Sequence, residues 1–256
     1  MECLRGKTSR FLDRDSLLRR VTPYQSVHLD LGTGDGRYVL DRERRDPGSF
    51  VIGIDACREN LRRASRRAPD NTLFIIANLL SPPLEPAGIA SHISINFPWG
   101  SLLSGLLQAD PNLLGGLAAM CAPGAEVECY LNAGALAEAG YDPATGAERV
   151  RRALNTAGFE VKQTHPMDAA GLRGVPSSWG KRLAYGRDPR AVYLTGDRSE
   201  RRLDWNLGLL DLSFALAVAA DVGHAGGADQ RSHDHNHARS SKGDARIDVE
   251  ERNCQC

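Results

Sequence analysis

A strand-like run, Val27-His28-Leu29-Asp30-Leu31, ends in the turn Gly32-Thr33-Gly34-Asp35-Gly36. Glycines at alternate positions let a backbone turn tightly and come close to a ligand. A helical stretch over 37–45 follows, and then a second buried run, Phe50 to Asp55, that closes on an acid. Strand, glycine turn, helix and strand together predict a βαβ unit with a binding crevice at the strands' carboxyl ends. The dinucleotide fingerprint Gly-x-Gly-x-x-Gly, counted from Gly32, would need its third glycine at position 37, which is Arg37. The spacing therefore argues against NAD. Asp55 stands where a carboxylate can accept hydrogen bonds from both hydroxyls of a ribose, which points to another nucleoside cofactor.

The pattern continues downstream. Strands are predicted at 72–77, within 89–97 and at 125–131, a helix at 101–120, a turn at Pro123-Gly124, a helix at 147–157, and closing strands at 159–163 and 191–195. Strands alternating with helices imply an α/β fold with a mostly parallel, Rossmann-like sheet. Residues 1–26 read as a polar, basic lead-in. Composition shifts near residue 200, which predicts three parts: a catalytic domain over 1–200, an apolar helical extension over 201–222 and a flexible tail over 223–256. Asp211 lies inside the apolar stretch and would be costly in lipid, so no membrane span is predicted. The tail carries His233, His235 and His237 without a placed fourth ligand, and no metal site is assigned.

Formal charge is balanced, with 32 basic and 32 acidic residues, so any attraction to nucleic acid must come from how the charges are distributed. Arg62, Arg63, Arg66 and Arg67 repeat at helical spacing, and Lys181, Arg182, Arg187 and Arg190 form a second group. Both are candidate phosphate-binding clusters. Cys57, Cys121 and Cys129 sit in or beside apolar runs and read as small core residues. No disulfide framework is apparent, which suits a reducing cytoplasm.

Two motifs contain tryptophan. Asn96-Phe97-Pro98-Trp99-Gly100-Ser101-Leu102-Leu103 follows the fourth of these strands, and Ser177-Ser178-Trp179-Gly180-Lys181-Arg182-Leu183 precedes the last. The loop Asp-x-Gly-x-Gly-x-Gly resembles motif I of class I methyltransferases. The two tryptophan motifs together resemble the aminoglycoside-resistance family that methylates N1 of adenine 1408 in 16S rRNA. The resemblance runs from about residue 27 to residue 196. It implies a seven-stranded core that binds S-adenosylmethionine through Asp30, Gly32, Thr33, Gly34 and Asp55, with Ala77, Asn78, Asn96 and Ser101 nearby. It implies that Trp99 and Trp179 stack on either face of a flipped adenine, that the arginine clusters meet rRNA in the 30S subunit, and that the enzyme acts as a monomer. Asn96 departs from the family pattern by standing where relatives carry an apolar residue. Two other readings share the cofactor site: a methyltransferase for another RNA or a small molecule, with the tryptophans as pocket walls, and a non-catalytic S-adenosylmethionine-binding protein. Intact Gly32, Gly34, Asp55 and Trp99 argue against the last.

Overall fold

The chain opens with a hairpin, β1 (Glu2–Arg5) and β2 (Thr8–Phe11), which turns at Gly6 with φ 62°. The capped helix α1 (Arg14–Val21) follows, with the Asp13 side chain accepting from the Ser16 N–H. The fold is taken from a computed structural model and is described for residues 1–199. The expected extension over 201–222, the tail over 223–256 and its three histidines lie outside the described residues.

Five strands run parallel in the order β5 (Thr72–Ile76), β4 (Ser49–Asp55), β3 (Ser26–Leu31), β6 (Ala90–Asn96), β7 (Cys121–Asn132). Beyond β7 lies β9 (Ala191–Arg198), antiparallel to it, and then β8 (Phe159–Met167), antiparallel to β9. These are the seven strands read from the sequence. The sheet has nine, because β1 pairs antiparallel with β5 and extends that edge, with β2 outermost. Each strand of the hairpin is four residues long. A run so short shows no clear period of two in a polar context. Its burial comes instead from distant partners: Leu4 packs with Val39, Val51, Leu61, Ala64, Ala68 and Phe74.

Helices cover both faces. On one side lie α2 (Arg37–Arg45) and α3 (Arg58–Arg66), whose Val39, Leu61 and Ala64 meet Val51 and Phe74. On the other, Leu29, Leu31, Ile52, Ile54, Ile93 and Ile95 form the main core with leucines of α4 (Gly100–Gln108), α5 (Pro111–Met120) and α7 (Pro143–Thr156). The single helix expected over 101–120 is therefore two. Ala109 adopts φ 55°, Asp110 accepts from the N–H groups of Asn112 and Leu113 at 3.0 Å each, and Pro111 occupies the first position of α5. Proline there is pre-set to start a helix and cannot continue one. The short helix α6 (Ala133–Glu138) follows β7, while α8 (Ala169–Gly174) and α9 (Ser178–Ala184) lie between β8 and β9. The three cysteines read as core, Cys57, Cys121 and Cys129, are all buried. Among the described residues no helix is long and apolar enough to cross a membrane.

If the hairpin is integral to the core, Leu4→Ala should cost about 2–4 kcal/mol, the usual range for removing a buried leucine side chain. Urea unfolding followed by circular dichroism checks this; a loss below about 0.5 kcal/mol would mean that the hairpin only decorates the sheet edge.

Candidate active site

The order of strands reverses between β3 and β6, and in open α/β sheets ligands bind beyond the carboxyl ends at such a point. Asp30 sits there, fully buried near the end of β3. Thr33 Oγ1 donates to its Oδ2 at 2.5 Å, while Ser94 Oγ and Asn96 Nδ2 donate to Oδ1 at 2.7 and 2.8 Å. One carboxylate thus ties the glycine turn to β6. Burial pushes the Asp30 carboxyl up to about 6 against the opposing pull of these three donors.

The Ser94 hydroxyl proton goes to Asp30, so His28 Nε2, 3.0 Å from Ser94 Oγ, must carry a hydrogen and donate. The other ring nitrogen, Nδ1, is then a bare acceptor, and it is buried without a partner. Burial, with Arg42 and His92 nearby, lowers the His28 imidazole to about 3.

The glycine loop has two kinds of glycine. Gly36, at φ 69°, has no room for a side chain, since a Cβ there would lie 2.6 Å from both Ala64 Cβ and the Phe74 ring. Gly34, at φ 56°, would point a Cβ into open space, with nothing within 4 Å. The first is needed for packing, and the second leaves its side of the loop clear for a ligand. The Gly34 N–H donates to Asp55 Oδ2 and the Cys57 N–H to Oδ1, both at 2.8 Å. Asp55 therefore fixes the loop and the start of α3. A carboxylate offers about four lone-pair sites, so acceptor capacity remains. Burial raises its carboxyl above the usual range, against those two N–H groups and the Asn60 side chain. The Ala77 N–H bonds to the Asp55 carbonyl at 3.1 Å, which brings the end of β5 to the same edge. Asn78 is exposed, and its Oδ1 accepts from the Leu80 N–H at 2.9 Å, shaping its own turn. Asn96 is buried, and its Oδ1 has no partner.

After Asn96 the chain bends sharply. Phe97 has φ 53° in front of Pro98, a left-handed conformation that costs a bulky residue on the order of 1–3 kcal/mol. Its ring offsets this by packing with Leu172, Val175, Ala184 and Ala191. The bend delivers Trp99 to the surface just before α4 and places Ser101 in that helix's first turn. Leu102 occupies the space beside Gly32, where a Cβ would lie 2.7 Å from Leu102 Cδ2, so α4 abuts the loop.

The second tryptophan is carried by α9. Ser177 is buried and its Oγ accepts from the Gly180 N–H at 2.9 Å, capping that helix. Because Val175 and Ala184 pack on Phe97, the two tryptophan elements share one apolar cluster. Trp99 and Trp179 are 42% and 41% exposed and lie face to face, ring centroids 6.0 Å apart and planes 13° apart. Large apolar rings left this exposed together mark an interaction surface. The Arg182 guanidinium lies 5.3 Å from the Trp179 ring centroid.

Lys181, Arg182, Arg187 and Arg190 are exposed on or after α9. Arg190 is held in a two-pronged pair with Asp188 at 2.8 and 2.9 Å. Arg62, Arg63, Arg66 and Arg67 are exposed on and just after α3, away from the tryptophans in sequence. Sequence reasoning overlooked Ser94 and His28, although both follow from the period of two that places Asp30 on the polar face of its strand. It also overlooked Phe97, whose ring joins the two tryptophan elements and for which the sequence offers no comparable local signal.

The chain is similar to proteins of one known family. A profile of the 16S rRNA (adenine(1408)-N(1))-methyltransferases matches residues 2–198. A 16S rRNA (adenine(1408)-N(1))-methyltransferase of Escherichia coli is 31% identical over 218 residues, covering 78% of this chain and all of the relative. One from Streptoalloteichus hindustanus is 32% identical over 182 residues, covering 64% of this chain and 83% of the relative. The solved structure of an aminoglycoside resistance methyltransferase superposes with a TM-score of 0.64 at 30% identity, over 77% of this chain and 98% of that one.

The buried histidine makes a pH prediction. Unfolded, His28 takes up a proton near pH 6.5; folded, only near 3. The folded state therefore binds fewer protons between these values, and His28 removes stability as pH falls through that window. Asp30 acts oppositely from 3.8 to about 6, holding its proton longer when folded. Between pH 6.5 and 4.5, His28→Leu should abolish an acid-induced loss on the order of 2–3 kcal/mol relative to the parent. Chemical denaturation of both proteins at the two pH values, compared as a difference, cancels the Asp30 contribution. Parallel profiles would mean that His28 is not held neutral by the fold.

Proposed function

Because the chain belongs to the family of 16S rRNA (adenine(1408)-N(1))-methyltransferases, we propose that it transfers a methyl group from S-adenosylmethionine to N1 of adenine 1408 in the 30S subunit, and so confers aminoglycoside resistance. The observation that carries the proposal is the exposed, face-to-face pair Trp99 and Trp179 at the carboxyl edge of the sheet, beside the glycine loop.

The residues at that edge suit the cofactor. Asn96 Oδ1 is a buried acceptor without a partner, Asp55 keeps acceptor capacity, and Gly34 leaves its side of the loop open. A ligand that is both cationic and rich in hydroxyls matches this acceptor-heavy set. When bound, S-adenosylmethionine supplies an electrophilic methyl group on a sulfonium sulfur. Asp55 would accept from the ribose hydroxyls. Asp30, Gly32, Thr33, Gly34, Asn96 and Ser101 would hold the amino-acid end, and Ala77 and Asn78 would flank the adenine.

The tryptophans hold the target. Chemistry on a base edge requires the base to leave its stack, and each aromatic face then contributes roughly 1–3 kcal/mol. Adenine N1 carries its own lone pair, so positioning and electrostatics suffice without a general base. The methylated ring begins as a cation, which indole faces favour through their quadrupole. A base between two rings needs two van der Waals gaps, about 7 Å in all. The pair at 6.0 Å must therefore open by about 1 Å or more. Arg62, Arg63, Arg66 and Arg67 with Lys181, Arg182, Arg187 and Arg190 would bind phosphate, Arg190 by exchanging Asp188 for it. One protomer holds both tryptophans and the whole loop, so a monomer suffices. Residues 1–200 would carry the chemistry, in the cytoplasm where ribosomes reside.

The test is incubation of 30S subunits with labelled S-adenosylmethionine, followed by primer extension across the decoding site. The expected result is one stop at adenine 1408; a stop elsewhere, or none, rejects the target. Trp99→Ala and Trp179→Ala should each lower methyl transfer about tenfold to a hundredfold while cofactor affinity stays near the parent's. Wild-type rates in both would dismiss the clamp. Asp55→Ala should weaken cofactor binding by about 1.5–3 kcal/mol by calorimetry, and unchanged affinity would remove the ribose assignment.

A further inference from the structure

Ser178 Oγ donates to Asp35 Oδ2 at 2.5 Å, across a sequence separation of 143 residues. Asp35 is the exposed residue between Gly34 and Gly36 in the cofactor loop, and its other oxygen accepts from the Arg37 N–H at 3.1 Å. Ser178 is the first residue of α9, and Trp179 is the next. The helix cap is a separate group, since Ser177 Oγ serves Gly180. Ser178 is thus free to reach outward to the loop, and the bond has one end beside the cofactor site and the other beside the base clamp.

We propose that Ser178 is a positioning residue for methyl transfer: its bond to Asp35 fixes Trp179, through α9, against the loop that holds the cofactor. The inference rests on the function proposed above. Packing of Ala184 on Phe97 docks α9 as a whole, and three further contacts bear on the Trp179 ring or its neighbour. Trp99 covers one side at 6.0 Å, Arg182 lies 5.3 Å from the ring centroid, and the Ser178–Asp35 bond holds the backbone next to it. The first contact must open to admit a base, so it cannot hold the ring during reaction. The Arg182 guanidinium is exposed and reaches from the same helix, so it does not anchor that helix to anything else. Only the third of these contacts ties Trp179 to the cofactor side. Asp35 is itself fixed in place, because the preceding residue, Gly34, is pinned by Asp55 at 2.8 Å. A displaced ring would still stack a base, but out of line with the methyl group, and small misplacements are costly in rate. The bond should therefore matter for turnover more than for docking, which rests on many phosphate contacts.

Ser178→Ala suits the test, because alanine favours helix and the Ser177 cap is untouched. With 30S substrate, kcat should fall about fivefold, the size of one ordinary net hydrogen bond. KM for 30S and the calorimetric Kd for cofactor should stay within about twofold. Asp35→Asn keeps an acceptor oxygen and should retain more activity than Asp35→Ala. The double variant Ser178→Ala/Asp35→Ala should be no slower than the slower single variant. A second readout needs neither RNA nor cofactor. With Trp205→Phe in every protein to isolate Trp99 and Trp179, acrylamide quenching of fluorescence should rise about twofold in Ser178→Ala, because the ring is less restrained. If the parent fails to methylate adenine 1408 but the quenching rises, the target assignment fails and the positioning bond stands. Unchanged quenching, a wild-type kcat, or a fall in cofactor affinity equal to the fall in kcat would each overturn the proposal.

Discussion

The buried carboxylate of Asp30 is the interaction on which the site depends. A fully buried charge or near-charge is costly unless donors surround it. Here the donors are Thr33, Ser94 and Asn96, one from the glycine turn and two from β6. Satisfying one acid thus fixes the loop's departure angle and locks two central strands in register. His28 extends the wiring through Ser94, at the expense of a buried nitrogen left bare. Polar groups in this number would weaken an ordinary sheet core. They are tolerated where the strand order reverses, the place at which open α/β sheets bind their ligands.

The tryptophan pair is assembled by different physics. A strained left-handed Phe97 turns Trp99 outward, and the same Phe97 ring, packed on Val175 and Ala184, docks the segment that carries Trp179. Strain in the backbone and burial of one aromatic ring thus act together, and neither tryptophan needs to be buried to be placed. The rings remain exposed, while the Phe97 side chain that joins their segments is buried.

The parts legible in the sequence were those with local signals. The glycine loop, the acid closing the second strand and the two tryptophan motifs all have fixed short spacings, and all lie at the carboxyl edge of the sheet. The hairpin at 2–11 was not legible, because four-residue strands lack a readable period and Leu4 is buried only by residues 35 or more positions away. The break between α4 and α5 was legible in principle. Asp110-Pro111 is a helix start, but the leucines on either side continue a helical period across it. The Ser178–Asp35 bond could not be read at all, since nothing in either segment announces the other. Nor does exposure in sequence reveal that Arg190 is already paired with Asp188.

That long separation also bears on the order of synthesis. A nascent chain releases the glycine loop, Asp55 and Trp99 well before Ser178 and Trp179, and β9, which pairs with both β7 and β8, follows them. Until β9 is added, β7 has an open edge and Ala191 is missing from the cluster that packs α9 on Phe97. The glycine loop and Trp99 are therefore made early, whereas the ring that faces Trp99 arrives late, just ahead of β9. The paired aromatic face and the described sheet are therefore finished by the same late segment.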